Sequence, residues 1–448
     1  MSAPRTGLLA GLLLAATTAA QAPSMQIFFG NRPKEEKEYK VARWGPRGLP
    51  SPGYAFLAAK VVTMEGDPIE DGVVLTRNGT IEAVGRRSQV RVPDGYEVRD
   101  CGDAWIVPGI VDLHCHIAAN GFDLNDTVHP TNPEFRTLDL ITLQHPQIQR
   151  ALAGGVSTVL YIPGSGSNMG GFGTLTKTHG DPREALVRFP GSLKIAQAGN
   201  PERRTGDLGM SRMGMNQGLR FTLQRGYEYH LAWERFDQGK GPKPEARADL
   251  EYLRGLFRHE YPVSVHTQIY QVVLQTFRQL RLEFGLWVFV DHGEFDAYRM
   301  SEFAADIGVP ICAGPRNYHF DRDSSRFLGL ADSWYRPGTK GWRSEQRGVG
   351  IDGIAINTDS PVVPQEQITV QAAINVRLGL PDAVGIRALT INPARFIGID
   401  HRVGSIAPGK DADLGIWSGD PIDPRSHVIT MVVNGRIAYV RDPERPLW

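Results

Sequence analysis

Val107-Pro108-Gly109-Ile110-Val111-Asp112-Leu113-His114-Cys115-His116 is the stretch from which the rest of this chain is read. An apolar run behind a Pro-Gly turn signal, closed off by Asn120-Gly121, predicts a buried strand. Strand side chains alternate between faces, so His114 and His116 point the same way and Cys115 points the other. Two imidazoles fixed on one rigid element read as half of a metal site.

The other half is sought at the ends of later apolar runs. The runs expected as strands are Ile110–His116, Ser157–Ile162, Ser192–Ala196, Val263–His266, Trp287–His292, Val309–Ala313 and Gly353–Asp359. Helical stretches such as Asp249–Tyr261, Tyr270–Phe284 and Glu294–Gly308 lie between them. This alternation predicts an α/β fold, a (β/α)8 TIM barrel of parallel strands buried on both faces. The third strand is hard to place, and Thr174–Thr178 is its candidate. Catalytic groups of such barrels come from the C-terminal ends of several strands. Lys194 lies inside one strand, and His266, His292 and Asp359 end three others. Each has a bland reading by itself: a satisfied core histidine, a snorkelling lysine, a capping aspartate. Taken together, in strand order, they read as a metal site, because unpaired polar groups on buried strands are costly.

The 448 residues carry 49 basic and 49 acidic side chains. That balance leaves no basic patch, so no nucleic acid is expected as a partner. Residues 1–22 read as a secretory signal, with Arg5, a short apolar run and Ala20-Gln21-Ala22 at the cleavage site. The run is short for a bilayer and no later stretch is more apolar, so no membrane span is expected after signal cleavage. The expected location is exported, periplasmic or secreted. Cys101, Cys115 and Cys312 are too few for a disulfide framework, and Cys115 and Cys312 read as buried thiols. Residues 23–52 read as an extended, poorly packed leader. Residues 53–107 and 401–448 read as β, each with an Asn-Gly turn signal at Asn78-Gly79 or Asn434-Gly435. The two ends are expected to build one small β-sandwich domain beside the 108–400 barrel. Two connectors, Gly199–Glu260 and Arg316–Gly350, are long enough to carry function or cover a site.

The Pro108–His116 segment resembles the opening motif of the amidohydrolase superfamily. Leu389–Arg395, with Gly404–Leu414, resembles its closing signature, and the chain looks like the imidazolonepropionase-like branch. The resemblance runs from about Tyr54 to Val440. It implies a barrel with two divalent metal ions, of the zinc type. His114, His116 and Asp359 would hold one ion, and His266 and His292 the other. Lys194 would bridge both as an N6-carboxylysine, with Lys177 as the competing lysine. Carboxylation turns a cation into an anionic oxygen ligand and so removes a repulsion of like charges.

The activity implied is hydrolysis of a C–N bond, amide or cyclic amide, in a small molecule through a metal-bridging hydroxide. Asp359 would take the water proton and pass it to the leaving nitrogen. Asn200, Arg212, Arg316 and His319 are candidate substrate contacts, for each of which a surface or structural role weighs as much. Ser360 and the long 316–350 loop depart from the pattern, so the family's substrate contacts do not carry over. The alternatives are a dipeptidase acting on short peptides at the same metals, a mononuclear deaminase, or a non-catalytic binding protein of the same fold. Thr267-Gln268-Ile269-Tyr270 lacks the acid of the mononuclear variant, and six filled ligand positions argue against a binding protein. The possibility of a homo-oligomer is left open.

Overall fold

The structure is a computed structural model that describes residues 44–117, 121–126, 128–197, 199–202, 211–322, 325–335 and 353–448. All of them belong to the compact unit Ala42–Trp448. The signal segment, most of the leader and the second half of the Arg316–Gly350 connector lie outside the described residues.

In chain order the strands begin with β1 (Tyr54–Val61), β2 (Ile69–Arg77), β3 (Thr80–Arg86), β4 (Glu97–Asp100) and β5 (Trp105–Pro108). Then come β6 (Ile110–Cys115), β7 (Val156–Tyr161), β8 (Met169–Phe172), β9 (Thr174–Lys177), β10 (Leu186–Arg188) and β11 (Leu193–Ala196). After these follow β12 (Val263–Thr267), β13 (Val288–His292), β14 (Ile311–Ala313), β15 (Tyr318–Asp321), β16 (Arg326–Gly329) and β17 (Ile354–Ile356). The last are β18 (Leu414–Trp417), β19 (Val428–Val433) and β20 (Arg436–Val440).

Both ends of this unit join one eight-stranded sheet, ordered β20-β19-β18-β5-β1-β2-β3 with β4 also on β1. Phe56, Val74, Ile106, Leu414, Ile416 and Val432 share its core. The expected sandwich of two separate leaves is instead one continuous hydrogen-bonded sheet. The reason lies in β1, whose eight residues are long enough to seat two short strands along one edge. Its first half pairs with β4 and its second half with β5. The two Asn-Gly turns form as their sequence demands. Asn78 and Gly79 have φ of 49° and 75°, Asn434 and Gly435 of 48° and 70°, the signature of a tight hairpin turn. The turns seat on each other: a Cβ on Gly435 would stand 3.1 Å from the Gly79 Cα.

The centre forms two further sheets, ordered β17-β14-β13-β12-β11-β8 and β10-β9-β7-β6. Strands β11 to β14 and β17 run parallel, as do β6 and β7. The two sheets meet on one side where Cys115 and Ser360 bridge, and His116 N donates to Ser360 O at 2.8 Å. A single closed parallel ladder is not formed among the described residues. The third position is the exception, and it corrects the parallel strand expected over Thr174–Thr178. There β9 runs antiparallel to β7, and β8, just before it, runs antiparallel to β11. One descending run therefore serves both sheets. It changes partner at Gly173, where a Cβ would stand 2.6 Å from Ile162 Cγ2 and 2.9 Å from Tyr161 O.

Three further expectations change. The leader is packed at its end: Gly45 N donates to Val187 O, and Arg47 Nε donates to Asp411 Oδ1 at 3.2 Å. The 199–260 connector contains a 26-residue helix, Arg212–Asp237, capped by Ser211. Lys177 is fully buried but stands apart from the histidines. Its Nζ meets Asp413 and lies 3.1 Å from Asp411, which also pairs with Arg402 at 2.9 Å. That cluster ties β9 to the segment leading into β18. Burial opposes ionisation of Asp411, but Lys177 and Arg402 outweigh it and hold the carboxyl below its usual range.

Candidate metal centre

Period two on β6 divides its side chains as the sequence requires. Val111 and Leu113 enter a buried apolar cluster with Leu160, Leu175, Ala394 and Phe396. Burying one such leucine is worth about 1.5–3 kcal/mol, which fixes the register of the strand. Asp112, His114 and His116 then share the opposite face. Cys115 goes with the apolar side and is a buried free thiol, as is Cys312.

His114, His116, Lys194 and Asp359 come together in space. His114 Nε2 lies 3.2 Å from His116 Nε2, 3.2 Å from Asp359 Oδ1 and 3.2 Å from Lys194 Nζ. Asp359 Oδ1 is also 3.1 Å from His116 Nε2. The other two histidines close the cluster, with the His292 ring centroid 4.6 Å from His114 and 4.3 Å from His266. His114, His292 and Asp359 alone offer three ligand atoms within 4.8 Å of one another.

The imidazoles are oriented from behind. His116 Nδ1 meets Ile162 O at 3.0 Å, His292 Nδ1 meets Gly314 O at 2.6 Å, and His266 Nδ1 meets Ser165 Oγ at 2.9 Å. A carbonyl can only accept, so Nδ1 carries the proton in His116 and His292, and Nε2 keeps a lone pair turned inward. The Nε2 atoms of His266 and His292 are buried without a hydrogen-bond partner. Burial, joined by neighbouring positive groups, pushes both imidazoles down, His292 to about 3 and His266 well below its usual value. Burial also lowers His116. Three of the four rings are thus held neutral, the form that binds metal. His114 differs: burial and Lys194 push it down, but Asp291 and Asp359 outweigh them and raise it. Asp359 is driven far below the carboxylate range, because the histidines overcome the effect of its burial. Two backbones are bent to deliver these groups. His292 has φ 75° and Asp359 φ 50°, left-handed conformations uncommon outside glycine that mark functional sites.

Orphaned inward nitrogens and a donor set of imidazoles and carboxylate fit a divalent ion, so the residues present suit the group that the fold implies.

Two acids that the sequence reading passed over complete the site, and a serine joins them. The Asp112 carboxylate accepts from Thr358 Oγ1 at 2.5 Å, Gln365 Nε2 at 3.0 Å and His114 N at 3.2 Å, and so locks β6 to the loop that carries Asp359. Its spacing, two before His114, was a readable signal. Asp291 is fully buried, with Oδ2 3.1 Å from His114 Nδ1. Strict alternation would set it opposite His292, but the positive φ of His292 breaks that rule. No sequence signal marks Ser165.

The four candidate substrate contacts do not join the cluster. Asn200 is exposed. Arg212 pairs with Glu202 at 3.0 Å and lines a separate cavity of about 190 Å³ with Gln197, Asn216 and Gln275. Arg316 sits beyond the end of β14, its Nε 3.7 Å from Glu294 and its guanidinium over Phe295. His319 lies on the β15–β16 hairpin, 5.3 Å from the Tyr298 ring. A larger cavity, about 610 Å³, is walled by Asp123, Asn125, His129, Glu134, Arg136 and Asp139 among others, and none of the six ligand candidates lines it.

Comparison with known proteins agrees with this architecture. The Amidohydrolase family profile matches residues 348–440. The crystal structure of an amidohydrolase from Thermotoga maritima is similar at TM-score 0.76 and 31% identity, covering 87% of this chain and 100% of that one. Imidazolonepropionase of Sphingopyxis alaskensis is 24% identical over 403 residues, 82% of this chain and 92% of that protein. Amidohydrolase tasK of Hapsidospora irregularis is 24% identical over 411 residues, of which this chain spans 40% of the relative's length. The chain belongs to the amidohydrolase superfamily, in its imidazolonepropionase-like branch, and is a metal-dependent hydrolase of carbon–nitrogen bonds.

Proposed function

We propose that this chain is an exported hydrolase that opens an amide or cyclic amide bond of a small molecule at a two-ion centre. The observation that carries the reading is one cluster: His114 and His116 Nε2 on Asp359, Lys194 on His114, His292 beside His114 and Asp359, and His266 beside His292, with the Nε2 atoms of His266 and His292 buried and unpartnered. His114, His116 and Asp359 would hold one ion, His266 and His292 the other, and Lys194 would bridge them. The two central sheets and their Cys115–Ser360 seam then work as the walls of a (β/α)8 barrel. Ions bound there supply Lewis-acid polarisation of the carbonyl and a more acidic water.

The remaining work falls to the chain. Lys194 is the residue suited to carboxylation. Burial draws its amine down to about 8, against the pull of Asp291 and Asp359. Its neutral nitrogen can then attack CO2 and lose a proton, leaving a carbamate anion. Asp359 stays ionised and its Oδ1 stands at the mouth of the histidine pair, where it can take a proton from water and deliver it to the leaving nitrogen. Buried Asp112 keeps that carboxylate in place through Thr358.

A one-ion site is the second reading, favoured by the close grouping of His114, His292 and Asp359. The test is metal analysis of the purified mature protein together with a screen of lactams, other cyclic amides and dipeptides. About two zinc-class ions per chain with cyclic-amide hydrolysis supports the proposal. One ion selects the second reading, dipeptide-only turnover selects a peptidase, and metal-free active protein sinks both metal schemes. Export is supported by the signal-like residues 1–22 and is checked by the N-terminus of protein recovered outside the cytoplasm.

A further inference from the structure

The four histidines are held from behind in two different ways. His116 and His292 lean on backbone carbonyls and His266 on a serine hydroxyl, all neutral partners. Of the four, His114 is the one with a carboxylate at its Nδ1, on the side turned away from the cluster. Asp291 Oδ2 lies 3.1 Å from its Nδ1, and both side chains are fully buried. Neither Asp291 oxygen has an aligned hydrogen-bond partner, so this close approach to Nδ1 is the shorter of the acid's two contacts with titratable groups. The same oxygen stands 3.9 Å from Lys194 Nζ. A buried carboxylate so poorly served is expensive unless it acts on its neighbours.

We propose that Asp291 is a positioning residue that sets the His114 tautomer and makes His114 the most electron-rich of the four imidazole ligands, so that the ion on the His114 side is held more tightly than the other. The chemistry is general: a carboxylate behind a ligating imidazole fixes which nitrogen is bare and raises its basicity, whereas a carbonyl or hydroxyl does so less. Because β13 carries both Asp291 and His292, one strand then supplies a ligand to one ion and the support for the other. The inference rests on the two-ion reading.

The test compares wild type with Asp291→Asn and Asp291→Ala. Each metal-free protein is titrated with Co²⁺ against a chelator while the visible spectrum of the bound ion is followed. In the wild type the expected result is two ions with separable affinities. Asp291→Asn should weaken only the tighter one, about 10–100-fold, with a shifted Co²⁺ spectrum. Asp291→Ala should weaken it further, and the conservative Asp291→Glu should recover part of the affinity. Both ions weakened equally would mean a merely structural role, and unchanged affinity and spectrum in a folded Asp291→Asn would also overturn the inference. Should the alanine variant not fold, the asparagine variant decides. A wild type that binds no metal would instead overturn the metal reading itself.

Discussion

Lys177 and Lys194, both fully buried, should behave in opposite ways when each is replaced by methionine, which is close in length and carries no charge. Lys177 is enclosed by Asp411 and Asp413, with Arg402 beyond them. Removing its ammonium leaves Asp411 to Arg402 and Arg47, and leaves buried Asp413 with the Asn434 N–H at 2.9 Å but without its cationic partner. Breaking a buried ion pair in this way costs about 3–5 kcal/mol. For a cooperative unit of about 400 residues, an unfolding entropy of about 2.1 cal/mol/K per residue converts that into a fall of roughly 4–6 °C in thermal midpoint. Lys194 is desolvated as well, and its nearest carboxylate, Asp291, keeps His114 as a partner. Lys194→Met should therefore leave the midpoint of the metal-free protein within about 2 °C, since well-packed apolar replacements of buried charges are often neutral. It should instead lower metal content and cut kcat/KM by about 10³-fold or more, the equivalent of several kcal/mol of transition-state stabilisation. Calorimetry of chelator-treated proteins and metal analysis of untreated ones give the four numbers. A Lys177→Met protein that melts like the wild type refutes the ion-cluster argument. One that loses metal while Lys194→Met keeps it refutes the assignment of the two lysines.

Asp359→Asn should fold normally, because asparagine tolerates the left-handed backbone at φ 50°, yet lose about 10²–10⁴-fold in kcat as a proton carrier. Circular dichroism and steady-state kinetics test this together. Asp112→Ala leaves a buried hydroxyl, amide and N–H unmatched, at about 1–3 kcal/mol each. A denaturation midpoint close to wild type would show that the three groups find other partners. Asp411 has its folded pKa depressed, so its contribution is fully present above the unfolded value of about 3.9 and is lost as pH falls through the folded one. Stability measured from pH 6 downward should therefore drop below about pH 4 in the wild type, and less steeply in Asp411→Asn.

What the sequence disclosed was whatever local rules alone decide. The His114–His116 pair followed from period two. The Asn-Gly turns followed from a backbone that only such residues adopt freely. Lys194, His266, His292 and Asp359 were legible because a strand order predicts which ends converge. The features that escaped depend on tertiary choices. The descending β8–β9 run could not be read, because a short apolar strand carries no mark of its direction. Asp291 was hidden because the left-handed backbone of His292 overrides alternation at the position where the site is built. Lys177 and Lys194 look alike in sequence, each inside a short stretch that reads as a strand, and the arrival of Asp411 and Asp413 at Lys177 from more than two hundred residues away separates them. The long connector after β11 hid a helix because its apolar stripe is weak and polar residues interrupt it.

The eight-stranded sheet also has a history in time. Strand β5 finds its outer partner in β18, with Pro108 opposite Leu414. These residues are about 300 apart, so at an elongation rate of about 5–20 residues per second β5 waits roughly 15–60 s on the ribosome before β18 is made. Through that interval a buried edge of the finished protein is an open one, offering unpaired backbone groups to any neighbouring strand. Slower translation lengthens the wait, so the yield of soluble protein should fall as elongation slows.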